Sequence, residues 1–479
     1  MIHLLITSFV VPILIGFFLC VTLFPTPLAM SRHFPLLNVF LGVGVGIGIS
    51  SSIFFLSLLF FDLANNFFMV IEMAFLFCLI LVFLFKFKLE NILNLFKLIR
   101  IIKFKFHRLL SASFYTALIF SLIAFILISL NHPHGQWDAW AIWNMRARFI
   151  FRGGDQWAAA FSSLLGWSHP DYPLLIPAMV ARGWKFIGLE TQLVPSLVSM
   201  LFTFATIGLT ASALFNFRGK NQGFLGGIIL LGTPFLIKQG TWQYADIPLS
   251  FFLLATIVLF ILHDSYSKDK SNLLILAGMT TGFSAWTKNE GLLFLFAIII
   301  ARFVLLNRLK CWRINLREII LFGLGIGPIL AMIIYFKIKF APPNDLLSFQ
   351  SWHFIIGRLT DWPRYFQIIK AFAAEIICFG NWVFNIPALL VLVLYGMLLG
   401  IKIEEKQRLS IAHSLIIIGL ILIGYFFIYL ISPHNLQWQL GTSLNRLLLH
   451  LWPSFIFIFF LMVCVPDPEF GGKKFRREE

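Results

Sequence analysis

Apolar runs of about 16–25 residues, each enough to span or nearly span a bilayer, recur along the whole chain. They predict thirteen membrane spans, at about 4–28, 35–60, 67–85, 109–130, 192–216, 224–240, 247–263, 272–287, 291–306, 319–340, 383–401, 411–431 and 447–465. Composition agrees. Of 479 residues, 59% are hydrophobic and only 12% charged, with a mean hydropathy of +0.89. A soluble domain carries roughly 25% charged residues, and 57 Phe are too many for a soluble fold to hide. The chain reads as an all-α polytopic membrane protein. The pair around 272–306 is short, but Lys288, Asn289 and Glu290 sit at its centre, which favours two helices joined by a wet turn.

Charge sets the orientation. Lys and Arg number 37 against 21 Asp and Glu, a net +16. In a soluble chain that excess would suggest nucleic acid as a partner. Here it reads as the cytoplasmic bias of basic residues, and no nucleic-acid partner is expected. Lys86, Lys88, Lys97, Arg100, Lys103, Lys105 and Arg108 crowd one stretch, opposed only by Glu90, and the apolar residues between them predict an amphipathic helix on the inner leaflet. Taking that side as cytoplasmic and alternating the spans puts 24 of the 37 basic residues inside. The N-terminus then lies outside and the C-terminus inside. The first apolar run has neither a charged leader nor a small-residue cleavage site, so it is expected to be retained. Cys20, Cys78, Cys311, Cys378 and Cys464 are scattered, with no disulfide or zinc spacing.

The chain accordingly divides into N-terminal spans over 1–130 with the basic segment 86–108, an outer loop over 131–190, core spans over 191–340, a second outer loop over 341–382, C-terminal spans over 383–465 and a basic cytoplasmic tail over 466–479. The first loop holds Trp137, Trp140, Trp143, Trp157, Trp167 and Trp184. A bland linker would be rich in Ser and Gly, whereas this spacing predicts short helices lying along the interface, where Trp prefers to sit.

Charged residues near the outer boundary are costly to place there and so are candidates for function. Asp138, in Gln136-Trp137-Asp138-Ala139-Trp140, is either an interfacial cap or partner of Arg146 or Arg148, or a reacting carboxylate. Asp171, in His169-Pro170-Asp171-Tyr172-Pro173, is either a turn residue between two rigid prolines or a site residue. Asp246 precedes Ile247-Pro248 and has the pattern of an ordinary N-cap. Lys288 and Glu290 could pair with each other at a tight turn. Arg446 follows His434-Asn435-Leu436-Gln437-Trp438 and has no acidic residue near it in sequence, as a cation awaiting an anion would, although lipid headgroups would also serve. Carboxylates gathered with fixed cations suit one chemistry. A carboxylate deprotonates an incoming hydroxyl while Lys or Arg stabilises a departing phosphate.

Four motifs stand in order on the same side: Trp137-Asp138-Ala139-Trp140; the Pro-rich stretch from His169 leading to Gly188; Tyr244-Ala245-Asp246-Ile247-Pro248; and Thr287-Lys288-Asn289-Glu290-Gly291. In these the chain resembles the GT-C superfamily of multi-spanning glycosyltransferases, whose kin include protein O-mannosyltransferases, the lipid A aminoarabinose transferase and Rgt-type core transferases. The resemblance covers about 131–305 and 434–455. One departure is Asp138-Ala139, where many relatives have Asp-Glu, so a second carboxylate must come from elsewhere, with Asp171 the first candidate.

The resemblance implies a GT-C fold and transfer of a hexosyl or pentosyl group from a polyprenyl-phosphate-linked sugar to a hydroxyl of a glycan, lipid or protein acceptor. It implies inversion and an active site on the outer face of a membrane, the bacterial inner membrane by family precedent. Asp138 would then be the general base, with Asp171 orienting the acceptor or helping to hold a cation. Lys288 and Arg446 would bind the donor phosphate. Asp246, Glu290, His169 and His434 would form a secondary polar network. No cofactor is demanded by these residues; a divalent cation is compatible with the superfamily. The competing reading is a multi-pass transporter or lipid flippase. It would show paired repeats with interrupted helices at matching places, and the sequence has no such symmetry. A polysaccharide polymerase or ligase would want its large loop late in the chain.

Overall fold

The computed structural model describes residues 2–25, 34–61, 66–87, 108–265, 271–309, 312–344, 352–382 and 384–464. Apart from residues 86, 87 and 108, the basic segment lies outside the described residues, as does the tail 466–479. The described residues form helices and no strand, with one isolated antiparallel bridge between Ile401 and Val463.

Every predicted span overlaps helix among the described residues. The first four are α1 (Ile2–Leu23), α2 (Phe34–Phe60), α3 (Phe67–Lys86) and α4 (Arg108–Asn131). The first loop then contributes a π-helical turn over Ala139–Trp143, α5 (Asn144–Arg152), two 3₁₀ turns (Gly154–Phe161 and Ser163–Ser168) and α6 (Leu175–Ile187). After it come α7 (Leu193–Arg218), α8 (Lys220–Leu231), α9 (Pro234–Thr241), α10 (Asp246–Ser265), α11 (Ser271–Thr287), α12 (Glu290–Leu309) and α13 (Trp312–Lys339). The second loop holds α14 (Trp352–Leu359) and α15 (Trp362–Ile377), and α16 (Ala388–Leu399), α17 (Glu405–Ile431) and α18 (Leu436–Met462) complete the chain. Among the described residues nine of these helices are long and apolar enough to cross a bilayer. This is an integral multi-pass membrane protein.

Two spans differ from the sequence reading. The run at 224–240 is not one helix but α8 and α9, bent by 62°. Gly232 and Thr233 interrupt it, and Pro234, which lacks an N–H, restarts a helix at its first turn. Phe235 N–H finds the carbonyl of Gly380 at 3.0 Å. The run at 383–401 keeps only the 12 residues of α16 as helix.

Close backbone approach replaces hydrophobic drive where lipid is the solvent. On α2, Gly42 and Gly46 face Gly16 and Pro12 of α1, where a Cβ at Gly46 would lie 1.8 Å from the Pro12 carbonyl oxygen. At the centre stands α10, buried from Asp246 to His263 and packed against α7, α11, α17 and α18. Its two ends carry separate polar clusters about 27 Å apart, at 1.5 Å rise per residue. At one end Asp264 receives Ser410 Oγ at 2.7 Å and Arg302, which also reaches Glu318. At the other end lie the residues singled out above.

Candidate active site

Four segments, distant in sequence, meet at the N-terminal end of α10. Asp246 is its first residue, Lys288 and Glu290 flank the α11–α12 turn, Arg446 and His450 lie one turn apart on α18, and Asp138 precedes the π turn of the first loop. The local sequence explains why each is there. Gly135 adopts φ +73°, and a Cβ on it would lie 2.5 Å from the Trp242 carbonyl oxygen, so the chain presses directly on the turn before α10. Gln136 N–H donates to that carbonyl at 3.2 Å. Gln243, itself at φ +59°, accepts from Asn144 Nδ2 at 2.9 Å and donates to the Pro133 carbonyl and Ser196 Oγ at 3.1 and 3.0 Å. The loop carrying Asp138 is thus stitched to the turn carrying Asp246. The π turn widens the helix just after Asp138, as such turns often do near functional groups.

Asp246 is the hub. Its Oδ1 accepts from Lys288 Nζ at 2.9 Å and His450 Nε2 at 2.8 Å, and its Oδ2 from Arg446 Nε at 2.8 Å. Arg446 extends to Asp138 Oδ2 at 2.5 Å, and Lys288 to Glu290 Oε1 at 2.8 Å. Asp246 and His450 have no exposed side chain, whereas Asp138 keeps 16% and Arg446 18% of theirs. Three carboxylates and two cations leave one excess negative charge. Removing such charges from water is tolerable only because each is paired. Burial works against the Lys288 charge, but Asp246 and Glu290 outweigh it and raise the ammonium's pKa. The Arg446 guanidinium lies 4.6 Å from the Tyr244 ring centroid. Burial foremost, with Asp138 beside it, pushes the Tyr244 phenol up to about 12.

Asp171 stands in an adjoining cluster. Its Oδ2 accepts from Asn289 Nδ2 and Asn344 Nδ2, both at 2.7 Å, with Lys337 Nζ 3.6 Å away. Lys337 also donates to the Asp171 carbonyl at 2.5 Å and to Asn289 Oδ1 at 2.8 Å. Asn289 sits between Lys288 and Glu290 in sequence, so it links the two clusters. Next to it Tyr172 lies between Trp143 and His169, ring centroids 5.6 and 5.1 Å away and nearly parallel. Burial raises the Tyr172 phenol well above its ordinary value, and Glu290 and Asp171 add to that.

The sequence-predicted residues therefore divide. Asp138, Asp246, Lys288, Glu290 and Arg446 come together, and Asp171 joins through Asn289. His169 is a left-handed turn residue stacked on Tyr172, and His434 packs near Trp438 at 6.1 Å. The two arginines offered as partners for Asp138 are engaged elsewhere, and its side chain makes no cap bond to the π turn. Arg146, buried and lowered to about 10 by that burial, donates to the carbonyls of Ser168, His169 and Tyr172, and Arg148 binds Glu190 at 2.8 Å. Asp246 does not use its side chain as a cap. Its three bonds go to Lys288, His450 and Arg446. Sequence reasoning missed His450, Asn289, Lys337 and Asn344. A His one helical turn beyond Arg446, inside an apolar run, was the available signal for the first. Among the described residues no group of three or more His, Cys, Asp or Glu is placed to hold a metal ion.

Residues 171–336 match the family model described as dolichyl-phosphate-mannose-protein mannosyltransferase. The match takes in Asp171, Asp246, Lys288 and Glu290, while Asp138, Arg446 and His450 lie outside it. No curated protein and no solved structure matches the chain significantly. The segment 171–336, which carries the hub carboxylate and its lysine, is thus similar to the dolichyl-phosphate-mannose-protein mannosyltransferases, a family of the GT-C superfamily.

Proposed function

We propose that the protein transfers a sugar from a polyprenyl-phosphate donor to an acceptor hydroxyl at the outer face of the membrane, with inversion, and that Asp138 is the general base. The observation that carries this reading is the charge array itself: a buried Asp246 fixes two cations, and the outermost carboxylate, Asp138, shares one of them. Arg446 grips Asp138 Oδ2, which leaves Oδ1 to take the acceptor proton. The acceptor oxygen then attacks the anomeric carbon as the bond from that carbon to the phosphate oxygen breaks. Lys288 and Arg446, already oriented, meet the charge that builds on the departing phosphate, and such preorganised donors cost no rearrangement during the reaction. Protonating Asp138 weakens its hold on Arg446 at the moment the phosphate needs that guanidinium. Asp171, held by two amides and Lys337, positions the loop and the acceptor. The family match over 171–336 supports a lipid-phosphate donor and a glycan or protein acceptor. The basic-residue bias supports the outer face, and the precedent of the resembled family supports a bacterial inner membrane.

The test is purified protein with polyprenyl-phosphate sugars, following release of the lipid phosphate and labelling of acceptor. Asp138→Asn is expected to lower turnover by about 10²–10⁴, the usual contribution of a general base, with the donor still bound. Full activity in that variant would remove Asp138 from the base role.

A further inference from the structure

His450 touches neither end of the charged array that faces the outside, yet it completes the array's core. It lies on α18 one turn after Arg446, fully buried. Its Nε2 is 2.8 Å from Asp246 Oδ1, and its Nδ1 is 2.9 Å from the hydroxyl of Tyr425 on α17, also buried. An ionised carboxylate only accepts, so Nε2 must carry a proton. A neutral ring then has Nδ1 as its acceptor, and Tyr425 is placed to donate to it. One tautomer satisfies both contacts, and the ring has no rotational freedom left.

The consequence reaches the cations. Asp246 Oδ1 is shared between His450 and Lys288, while Oδ2 serves Arg446. With no donor at Nε2, the carboxylate plane is set only by the two flexible cations that it is supposed to position. Outer-shell hydrogen bonds of this kind orient ligating carboxylates and imidazoles at metal sites, and the same logic applies to an oxyanion clamp built from Lys and Arg. We propose that His450, in the Nε2–H tautomer set by Tyr425, is a positioning residue that fixes the Asp246 carboxylate and through it the two cations that receive the donor phosphate. This rests on the glycosyl-transfer reading above.

The full-length protein tests it in three variants. His450→Gln keeps an amide donor near the Nε2 position, His450→Leu removes it, and Tyr425→Phe removes the tautomer lock. A buried acceptor robbed of its donor corresponds to roughly a 5- to 150-fold effect. His450→Leu is therefore expected to raise KM for the lipid-linked donor at least fivefold, with a smaller fall in kcat and no change in KM for the acceptor. His450→Gln should recover most of that loss. Tyr425→Phe should lie between the two. A purely packing role would make Gln, the polar substitute, no better than Leu and would move thermal stability without splitting donor KM from acceptor KM; either result overturns the proposal. Independently of turnover, the ¹⁵N spectrum of histidine-labelled protein, with His450 assigned by its loss in His450→Gln, should show a neutral Nε2–H ring. An imidazolium or the Nδ1–H form overturns the chain of bonds. If wild-type protein consumes no lipid-linked sugar, the glycosyl-transfer reading fails, and the spectrum still decides whether Tyr425 and Asp246 fix the ring.

Discussion

At the scale of single residues, the turn Thr287–Gly291 shows how a short motif becomes geometry. Lys288 faces Asp246 and Glu290, and Asn289 faces Asp171 and Lys337, so successive side chains serve two different clusters. That requires α12 to leave α11 very tightly. A Cβ on Gly291 would lie 2.1 Å from the Ser284 carbonyl oxygen, a backbone atom that cannot step aside. Gly291→Ala must therefore move the start of α12, displacing Lys288 and Asn289 with it. Overpacking of this kind costs about 1–3 kcal/mol. The expected outcome is a lower melting temperature together with a fall in donor turnover, and unchanged values of both would show the turn to be slack. The pairs across this turn were only half legible in sequence. Lys288, Glu290, Asp138, Asp246 and Arg446 could be named because charge near an apolar boundary is conspicuous. Their partners could not, since Arg446 is bound to Asp246 and Asp138, 200 and 308 positions away. His450 stayed hidden because a single His in an apolar run is also what an inert, hydrogen-bonded core residue looks like.

At the scale of elements, the helix α6 is held by an ion pair buried in the bundle rather than by its apolar face alone. Arg182 donates through Nε to Glu72 Oε1 of α3 at 2.7 Å, pairs its second nitrogen with Glu72 Oε2, and reaches the Ser8 carbonyl of α1 at 2.5 Å. Neither side chain sees the outside. Losing one member of a buried pair leaves an uncompensated charge and costs about 3–5 kcal/mol, whereas replacing both by apolar groups of similar size is often neutral. Arg182→Met and Glu72→Leu alone should each destabilise the protein strongly, and the double variant should recover most of the loss. A double variant as unstable as the singles would mean that the Ser8 carbonyl, not Glu72, is the essential partner. This clamp matters for the site because α6 begins four residues after Asp171. The helix itself was readable: an amphipathic stretch that ends on Gly188 in the left-handed conformation, φ +77°. The bend between α8 and α9 was not, because apolar periodicity runs unbroken through Gly232 and Pro234 while the compensating bond comes from Gly380, far along the chain.

At the scale of the whole molecule, the address of the site depends on which end of α10 faces which compartment. Counting spans and basic residues puts Asp138, Asp171, Asp246, Lys288, Glu290 and Arg446 on one side. In the folded chain they do occupy one end, with Asp264, Arg302, Glu318 and Ser410 at the other. Meeting at one end requires only an even number of crossings between each pair of them, which the alternation supplies and which two compensating changes, at the 17-residue α11 or the 12-residue α16 for instance, would also supply. Compartment is a further step, resting on the excess of Lys and Arg in short loops at the Asp264 end. It is open to direct test through two positions, each outside the charged clusters. Leu164 is 89% exposed in the first loop, and Glu404 is exposed in the loop before α17 at the opposite end. In a version lacking the native cysteines, Leu164→Cys should react with a membrane-impermeant maleimide on intact cells, and Glu404→Cys only after permeabilisation. The reverse pattern would place the charged array in the cytoplasm and require a donor presented on the inner leaflet. Labelling of both positions on intact cells would break the alternation itself. The expected pattern matters for chemistry as well as address. With Asp138 outside, the proposed acceptor would be a hydroxyl already exported or exposed on a lipid, and the proposed donor sugar would have crossed the bilayer on its polyprenyl carrier before Arg446 and Lys288 could receive its phosphate.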